Sequence, residues 1–326
     1  MKLDNYEELK LYFIQRYSLR VFTKKERLVL VEGWLDVKFF NKLKCEDVKY
    51  IDIDSFVNDL AIVKSNDDYY PNHKEKQKKD FPNNKKYLVK FFSEKDYEVS
   101  RLIENLNMFG IVDRDDGDEF PKENCERLIS NDTTDLETMM LRRDKNLVQD
   151  ISILSMDSNL IHKAKFMAYQ LSLLIGILKK NNLRYERVEF NKVNNYFDGY
   201  KLNIFSYLDY VADCQKKYNQ DVLTDVNEIL KKIETDLIMQ GFLDFQTNEK
   251  ELNFEEFLRE EPQNFWQIVN GHDLLQIILS LNIKNENFKN LFKFREFETF
   301  LVKNYDLSNF NLEPLCRKMK KYKIIN

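Results

Sequence analysis

Three acidic residues of this sequence have the types and the spacing of a metal-binding site. Glu32 comes directly after one apolar run of the chain, and Asp113 and Asp115 follow another. Asp36 lies one helical turn beyond Glu32 and is a fourth candidate ligand. Carboxylate oxygens are the ligands that Mg²⁺ and Mn²⁺ prefer over sulfur and imidazole. We therefore expect these four acids to form a catalytic site that binds Mg²⁺ or Mn²⁺.

The elements that must position these acids are buried strands. Residues 28–32, Leu-Val-Leu-Val-Glu, form the continuous apolar run that is typical of a strand covered on both faces, as in parallel sheets. Gly33 then ends the strand, and the segment WLDVKFFNKL has the apolar spacing of a helix. Residues 48–53 and 108–112 are further strand candidates. Because parallel sheets bind ligands at the carboxyl ends of their strands, we expect the acids to converge there.

A single acid after a strand is more often a solvated turn or a helix cap than a metal ligand, because short motifs match by chance. The joint placement of several acids at strand ends favours a site. The run DRDDGD, residues 113–118, also resembles the start of a calcium-binding EF-hand loop. Gly117, however, stands where that loop requires an oxygen ligand, and Asn124 stands at its twelfth position. The sequence therefore argues against calcium sensing.

The length of 326 residues corresponds to about two domains. Residues 1–150 contain the strand candidates, and we expect them to form an α/β domain with a mainly parallel sheet and helices. Residues 151–326 show mainly helical patterns, for example at 161–180 and 202–218. The sequence therefore predicts an α/β catalytic domain followed by a mostly helical C-terminal domain.

Composition and charge exclude several classes of protein. The formal net charge of −4 is not that of a general nucleic-acid-coating protein, so any nucleic-acid surface must be local. The 4 cysteines include no CxxC pair, which argues against a zinc ribbon or a disulfide framework and fits a reducing cytoplasm. The most apolar stretch, residues 166–178, is shorter than the roughly 20 residues of a membrane span. We expect a cytoplasmic protein without a membrane anchor.

Two motifs resemble a known family. LVLVEGWLDVKFF at 28–40 and FGIVDRDDGD at 109–118 resemble the Toprim signature, which is a glutamate after the first strand and D-x-D after a later one. Topoisomerases, primases and overcoming-lysogenization-defect nucleases share that domain. The resemblance covers roughly residues 25–145 and implies a Toprim-type, Rossmann-like fold. It implies Glu32 as the essential metal ligand and general acid–base candidate, with Asp113 and Asp115 as the metal-binding pair.

The same resemblance assigns Asp36 to the second acid of the E-G-x-x-D/E form that is found in nucleases. This sequence departs from the family pattern at one position, which bears on a second metal ion. Topoisomerase-type sites usually continue as D-x-D-x-D. Here the fifth position is Gly117, and Asp116 or Asp118 is the candidate to compensate. The sequence therefore leaves open whether the site holds one metal ion or two.

Two further segments narrow the resemblance. DTTDLETMML at 132–141 and VNGHDLL at 269–275 resemble segments of the small Toprim effectors that are encoded beside ABC-type ATPases, as in the PARIS anti-phage system. The resemblance implies Asp135 or Glu137 at the edge of the site. It also keeps a functional role open for His272, although a lone histidine more often satisfies local hydrogen bonds. It also implies a toxic endonuclease that acts in abortive infection. Such an effector would be a homodimer that cuts host nucleic acid, with transfer RNA expected, once an ABC-type ATPase sensor releases or activates it.

A lysine-rich loop is expected at residues 73–86, inside the catalytic domain. It has two interpretations, namely contact with a phosphate backbone or an ordinary solvated loop. The candidate nucleic-acid contacts are Lys74, Lys76, Lys78, Lys79, Lys85 and Lys86. The basic tail RKMKKYK at 317–323 is open to the same two interpretations.

Alternative functions remain at this stage. The residues do not discriminate RNA from DNA, so a DNA nickase or endonuclease of the overcoming-lysogenization-defect type is one alternative. A non-catalytic regulatory subunit, whose acids bind metal only to hold a partner, is another. A topoisomerase or a primase is disfavoured, because the chain has no zinc-binding cysteine set and no separate strand-passage or polymerase-like region.

Overall fold

The computed structural model of the protein describes most of the chain but not all of it. The described residues are 27–53, 84–93, 97–114, 127–131, 133–183, 185, 192–218, 225–240, 242, 254–285, 288 and 293–325. Several predicted site residues lie outside these ranges, namely Asp115, Asp116, Asp118, Lys74, Lys76, Lys78 and Lys79. Lys85 and Lys86 lie in a described helix, but their side chains are outside the description.

The chain divides into two compact units. Of the described residues, the first unit contains those from 27 to 114, 127–131 and 306–325, and the second contains those from 133 to 305. This grouping differs from the boundary expected at residue 150. Residues 133–150 belong to the second unit, and the C-terminal residues 306–325 return to the first. Helical periodicity reveals that a segment has an apolar face, but it does not reveal which neighbour covers that face.

The first unit is built on a four-stranded parallel sheet with the order β2-β1-β3-β4. Its strands are β1 (Arg27–Val31), β2 (Val48–Asp52), β3 (Met108–Val112) and β4 (Leu128–Ser130). The predicted α/β fold class, with a parallel sheet, is confirmed. In β3 every residue is buried, which explains why its sequence is a continuous apolar run.

Helices cover the sheet of the first unit. They are α1 (Trp34–Asn41), α2 (Asn84–Ser93) and α3 (Tyr97–Asn105). Side chains of α2 and α3 join the sheet in one apolar core, which includes Phe91, Val99 and Leu102. Because α2 begins at Asn84, the last three residues of the segment expected to be a loop, 84–86, are helical instead. Asparagine is common at helix starts, so the sequence FPNN indicates that a helix begins there. The many lysines of the segment favoured the loop interpretation instead.

The C-terminal segment belongs to the first unit through two short helices, α13 (Leu307–Phe310) and α14 (Pro314–Lys321). Phe310 contacts the ring of Phe39 at a centroid distance of 5.4 Å. In α14, Met319 is buried, and Lys318 Nζ donates a hydrogen bond of 2.8 Å to the carbonyl of Ser130 at the end of β4. The basic tail therefore packs against the first unit through Met319 and Lys318, while Arg317, Lys320, Lys321 and Lys323 are exposed.

The second unit is mostly helical, as predicted for the C-terminal region. Its helices are α4 (Leu136–Arg143), α5 (Lys145–Ser155), α6 (Leu160–Lys180), α7 (Ile204–Tyr218), α8 (Val226–Met239), α9 (Phe254–Arg259), α10 (Phe265–Ile268), α11 (Gly271–Leu281) and α12 (Phe294–Asn304). A small antiparallel hairpin joins β5 (Phe197–Asp198) to β6 (Lys201–Leu202).

Helix α6 is the centre of the second unit and packs against α5, α8 and α11. It contains the apolar stretch 166–178, and most of that stretch is buried, as expected for a core helix. Gln170 is also buried there, and its amide contacts the hairpin. Its Nε2 donates to the Tyr200 carbonyl at 2.8 Å, and its Oε1 accepts from the Leu202 amide at 3.0 Å. No helix in the described ranges is both long enough and apolar enough to cross a membrane.

Candidate functional site

Polar side chains stand at the carboxyl end of each strand of the parallel sheet. Asp52 is the last residue of β2, whereas Glu32, Asp113 and Asn131 directly follow β1, β3 and β4. Because the strands are parallel and lie in the order β2-β1-β3-β4, these four residues occupy a single edge of the sheet. This is the edge at which open parallel sheets bind ligands.

Glu32 and Asp113 contact each other across this edge. The backbone N–H of Asp113 donates a hydrogen bond of 2.7 Å to Glu32 Oε1, and both residues are partly buried. The contact follows from the strand order, since β1 and β3 are neighbours and both acids come one residue after the strand end. A carboxylate has two oxygens with several acceptor positions, so this hydrogen bond leaves Glu32 able to ligate a cation as well.

Asp36 has a structural partner in the first turn of α1. Its Oδ2 accepts a hydrogen bond of 2.9 Å from the N–H of Gly33, the residue that caps the helix. Such a capping interaction satisfies a donor that the helix leaves without an internal acceptor. The expected role of Asp36 as a metal ligand stays a prediction, and helix capping is the role that its contacts display.

Sequence reasoning missed two residues of this edge. Asp52 is buried at 6% exposure and Asn131 at 2%, and the N–H of Asn131 donates to the Val112 carbonyl at 3.0 Å. The same rule that selected Glu32 applies to them, because each lies at the carboxyl end of a strand. Asp52 was obscured because the lysine and tyrosine in VKYID make that strand look less buried than the others.

A second group of predicted residues comes together in the helical unit. There, the segment around Asp135 contacts the loop before α11. Asp135 caps α4 by accepting from the N–H of Thr138 at 2.9 Å through Oδ1, and its Oδ2 accepts from the N–H of Gly271. The hydroxyl of Thr134 donates to the carbonyl of Val269. The two sequence segments on which the narrower resemblance rests are therefore in direct contact.

Gly271 is required for this contact. A Cβ at that position would collide with the Asp135 carboxylate and would lie 2.7 Å from the Cβ of Glu137. Real side chains do not approach so closely, and the neighbouring atoms belong to a buried segment that has little room to move. The absence of a side chain at 271 thus permits α11 to begin directly beside α4.

Immediately beyond this contact, His272 faces two buried glutamates. Its Nδ1 lies 3.4 Å from Glu137 Oε1 and 3.2 Å from Glu298 Oε1. Glu137 and Glu298 are exposed by only 2% and 5%, whereas the imidazole is partly buried and lies beside the ring of Phe294. Within the described ranges, these three residues are the one group whose potential metal-ligand atoms all lie within 4.8 Å of one another.

The group of Glu137, Glu298 and His272 contains two acidic side chains and one imidazole. Burial raises the pKa of the Glu137 carboxyl to about 8, while His272 acts in the opposite direction and the negative charges of Asp135 and Glu298 raise the pKa further. Glu137 Oε1 is fully shielded from solvent and accepts no hydrogen bond from the part of the chain that is described. A buried acceptor without a donor destabilises the fold unless a proton or a cation compensates it.

Comparison with protein-family models, with curated proteins and with solved structures finds no match. The Toprim resemblance therefore rests on the motifs themselves.

The predicted site residues thus fall into three sets. Glu32 and Asp113 meet at the sheet edge of the first unit, with Asp36 in the adjacent helix. Asp135, Glu137 and His272 come together in the second unit. Asp115 and the other acids at 116 and 118 lie outside the described residues. Glu298 was not predicted, because its segment is an ordinary amphipathic helix and nothing local distinguishes its buried carboxylate from a surface one.

Proposed function

We propose that this protein is a phosphodiesterase that depends on Mg²⁺ or Mn²⁺ and cuts nucleic acid. The observation that carries this proposal is the 2.7 Å hydrogen bond from the Asp113 amide to Glu32 Oε1. It holds two acids together at the carboxyl edge of neighbouring parallel strands. Oxygen ligands in that position suit a hard divalent ion, and Glu32 and Asp113 are the described residues that would hold it, while the role of Asp115 stays a prediction from the sequence.

The chain contributes more than ligands at this edge. The Asp113 amide fixes one oxygen of Glu32, so the carboxylate need not be ordered when substrate binds. Helix α1 begins two residues after Glu32, and its N-terminal end carries a partial positive charge that favours a phosphate group. When bound, a divalent ion polarises the phosphodiester and neutralises charge that develops during cleavage. The carboxylates can also accept a proton from the attacking hydroxyl group.

The proposal extends to the biological role. We propose a toxic effector of anti-phage defence that cleaves transfer RNA and is activated or released by an ABC-type ATPase sensor. Its support is the resemblance of the segments 132–141 and 269–275 to small Toprim effectors, together with the contacts between these segments. Segments that act in one function are expected to be neighbours in space, although they are far apart in sequence.

The test is a cleavage assay with the purified full-length protein, alone and after co-expression with any ABC-type ATPase that is found to be encoded beside its gene. Transfer RNA and supercoiled plasmid DNA are incubated with Mg²⁺, with Mn²⁺ or with EDTA. The variant Glu32→Gln removes the ligand, and Glu104→Gln, an exposed glutamate of the same unit, is the matched control. We expect cleavage of transfer RNA by the wild type and by the control but not by Glu32→Gln.

Each other outcome of this assay has a definite meaning. Nicking of plasmid DNA without cleavage of RNA would replace the transfer-RNA proposal with the DNA nuclease alternative. Cleavage that is equal in Glu32→Gln and in the wild type would overturn the site. Absence of cleavage under all conditions, with and without the ATPase, would favour the non-catalytic subunit.

A further inference from the structure

We infer that Glu137, His272 and Glu298 form a binding site for a divalent transition-metal ion of the Zn²⁺ or Mn²⁺ class. This inference goes beyond the proposed phosphodiesterase and does not depend on it. The site lies within the helical unit, and its ligands come from three helices, α4, α11 and α12. Its donor set of one imidazole nitrogen and two carboxylate oxygens differs from the all-oxygen set at the sheet edge.

The spacing of the ligand atoms fits a coordinated ion. Bonds of about 2.0–2.2 Å in tetrahedral geometry place neighbouring ligand atoms about 3.3–3.6 Å apart. The Nδ1 atom of His272 lies 3.4 Å from one carboxylate oxygen and 3.2 Å from the other. All three ligand atoms lie within 4.8 Å of one another, so an ion can reach them with small rotations of the side chains.

The charge of the group also calls for a cation. Glu137 and Glu298 are both buried, and even a fully protonated His272 would balance only one of them. Asp135 adds a further negative charge that acts on Glu137. A buried carboxylate whose charge is not compensated destabilises the folded state. One divalent ion neutralises both glutamates while the imidazole stays uncharged, which is the form that binds metal.

Solvent-shielded Glu137 Oε1 is an independent indication of a ligand. The residue is 2% exposed, and this oxygen points at the group while accepting no hydrogen bond within the described ranges. A solvated surface carboxylate would find water instead, so ordinary surface behaviour does not account for it. His272 Nδ1, which faces both carboxylates, is also shielded from solvent.

The surrounding contacts hold two of the three ligands in place. Asp135 and Thr134 fasten the start of α4 to the residues that begin α11, so Glu137 and His272 are fixed relative to each other. An ion would add Glu298 and thereby tie α12 to the same point. We therefore expect metal binding to stabilise the helical unit. The imidazole favours Zn²⁺ over Mg²⁺ and Ca²⁺, which prefer oxygen ligands alone.

The experiment uses the full-length protein, freed of metal by dialysis against EDTA and then against buffer. Isothermal titration with ZnCl₂, MnCl₂ and MgCl₂ measures stoichiometry and affinity. The variants are Glu298→Gln and His272→Ala, with the exposed Glu228→Gln of the same unit as the matched control. Glu32→Gln is included because it changes the site proposed at the sheet edge and none of these three residues. Thermal unfolding of every variant, with and without Zn²⁺, reports on folding.

We expect one Zn²⁺ ion to bind with an affinity that falls at least about tenfold in Glu298→Gln and His272→Ala, since each lacks one ligand. Glu228→Gln and Glu32→Gln should bind Zn²⁺ as the wild type does. Zn²⁺ should raise the melting temperature only in proteins that keep Glu137, His272 and Glu298. If a variant fails to fold, anomalous diffraction from wild-type crystals soaked in ZnCl₂ locates the ion directly.

Two results would overturn the inference. One is a wild-type protein that binds no Zn²⁺ or Mn²⁺ in titration and shows no anomalous peak among the three side chains. The other is binding that the loss of His272 or Glu298 does not weaken. Metal that is found only beside Glu32 would also reject this site while leaving the proposed phosphodiesterase intact. If a Glu32→Gln protein loses cleavage activity but still binds Zn²⁺, then the Zn²⁺ site does not depend on the acid proposed for cleavage.

Discussion

The amide of Asp113 donates a hydrogen bond of 2.7 Å to the carboxylate of Glu32, which comes 81 residues earlier in the chain. Both residues directly follow buried strands that are neighbours in the parallel sheet. The hydrogen bond uses the backbone of Asp113, so its own carboxylate is not consumed by it. The arrangement thus gathers carboxylate oxygens at one edge of the sheet, and such oxygens are the ligands that a hard divalent ion prefers.

The first prediction concerns these two acids. We expect Glu32→Ala to lower cleavage by at least about a thousandfold while leaving thermal unfolding close to that of the wild type, because it removes a proposed metal ligand that is partly exposed and no core side chain. Asp113→Ala should lower cleavage similarly, and the double variant should be little worse than either single one. Fully additive losses in single-turnover assays would show that the two acids do not act on one ion.

The second prediction concerns the ion used in cleavage. We expect activity in Mg²⁺ or Mn²⁺, complete loss in excess EDTA and full recovery when Mg²⁺ is added back, because the acids at the sheet edge offer only oxygen ligands. The measurement is the initial rate of transfer-RNA cleavage at several free Mg²⁺ concentrations. Cleavage that persists in EDTA would indicate metal-independent chemistry and would remove the main role proposed for Glu32.

The strands and the main acidic pair were readable from sequence for a physical reason. A strand buried on both faces must be apolar at every position, so β1 and β3 stand out as continuous runs, and a polar residue at the end of such a run is conspicuous. Parallel strands also align their carboxyl ends. Two rules of local pattern therefore suffice to place Glu32 and Asp113 at one edge.

The remaining features depend on contacts that local patterns do not encode. Glu298 is buried because α12 packs against α4 and α11, and its sequence neighbours resemble those of any amphipathic helix. In the same way, the periodicity of the last residues predicts a helix but not that Lys318 reaches the carbonyl of Ser130, 188 residues earlier. The side chain that completes a cluster is chosen by tertiary packing, which a single sequence does not display.

The third prediction tests the close approach of α11 to α4. We expect Gly271→Ala to reduce the free energy of unfolding by about 1–3 kcal/mol, because the added methyl group collides with buried atoms of Asp135 and Glu137. Gly176→Ala is the matched control. It lies inside helix α6, and its Cβ would meet no atom within 4 Å, so alanine should stabilise the helix by about 0.5–1 kcal/mol. Urea unfolding measures both, and equal effects would contradict the collision.

The fourth prediction concerns the lysine-rich segment 73–86, of which 73–83 lie outside the described residues. If these lysines contact phosphates, replacing Lys76, Lys78 and Lys79 together by glutamine should weaken nucleic-acid binding. The slope of log affinity against log salt should then become shallower by about two to three units, roughly one for each lost contact. The rate of the chemical step at saturating substrate should survive. An unchanged slope and affinity would assign the segment to ordinary solvated surface.

The fifth prediction concerns the pH dependence of the metal-free protein. The pKa of Glu137 in the folded state, about 8, lies above its ordinary value of 4.5. Between these two values the folded state binds more protons than the unfolded state, so the free energy of unfolding must fall as pH rises through this window. We expect that fall to be steeper in the wild type than in Glu137→Gln, whose amide does not titrate.

Denaturant unfolding in EDTA at intervals from about pH 5 to about pH 8 measures this difference. Glu228→Gln, an exposed glutamate of the same unit, should follow the wild-type curve. Addition of Zn²⁺ should flatten the wild-type curve at its upper end, because an ion then replaces the proton as the charge that compensates Glu137. Parallel curves for the wild type and Glu137→Gln in EDTA would mean that Glu137 is already ionised in the folded protein and has a compensating partner other than a proton.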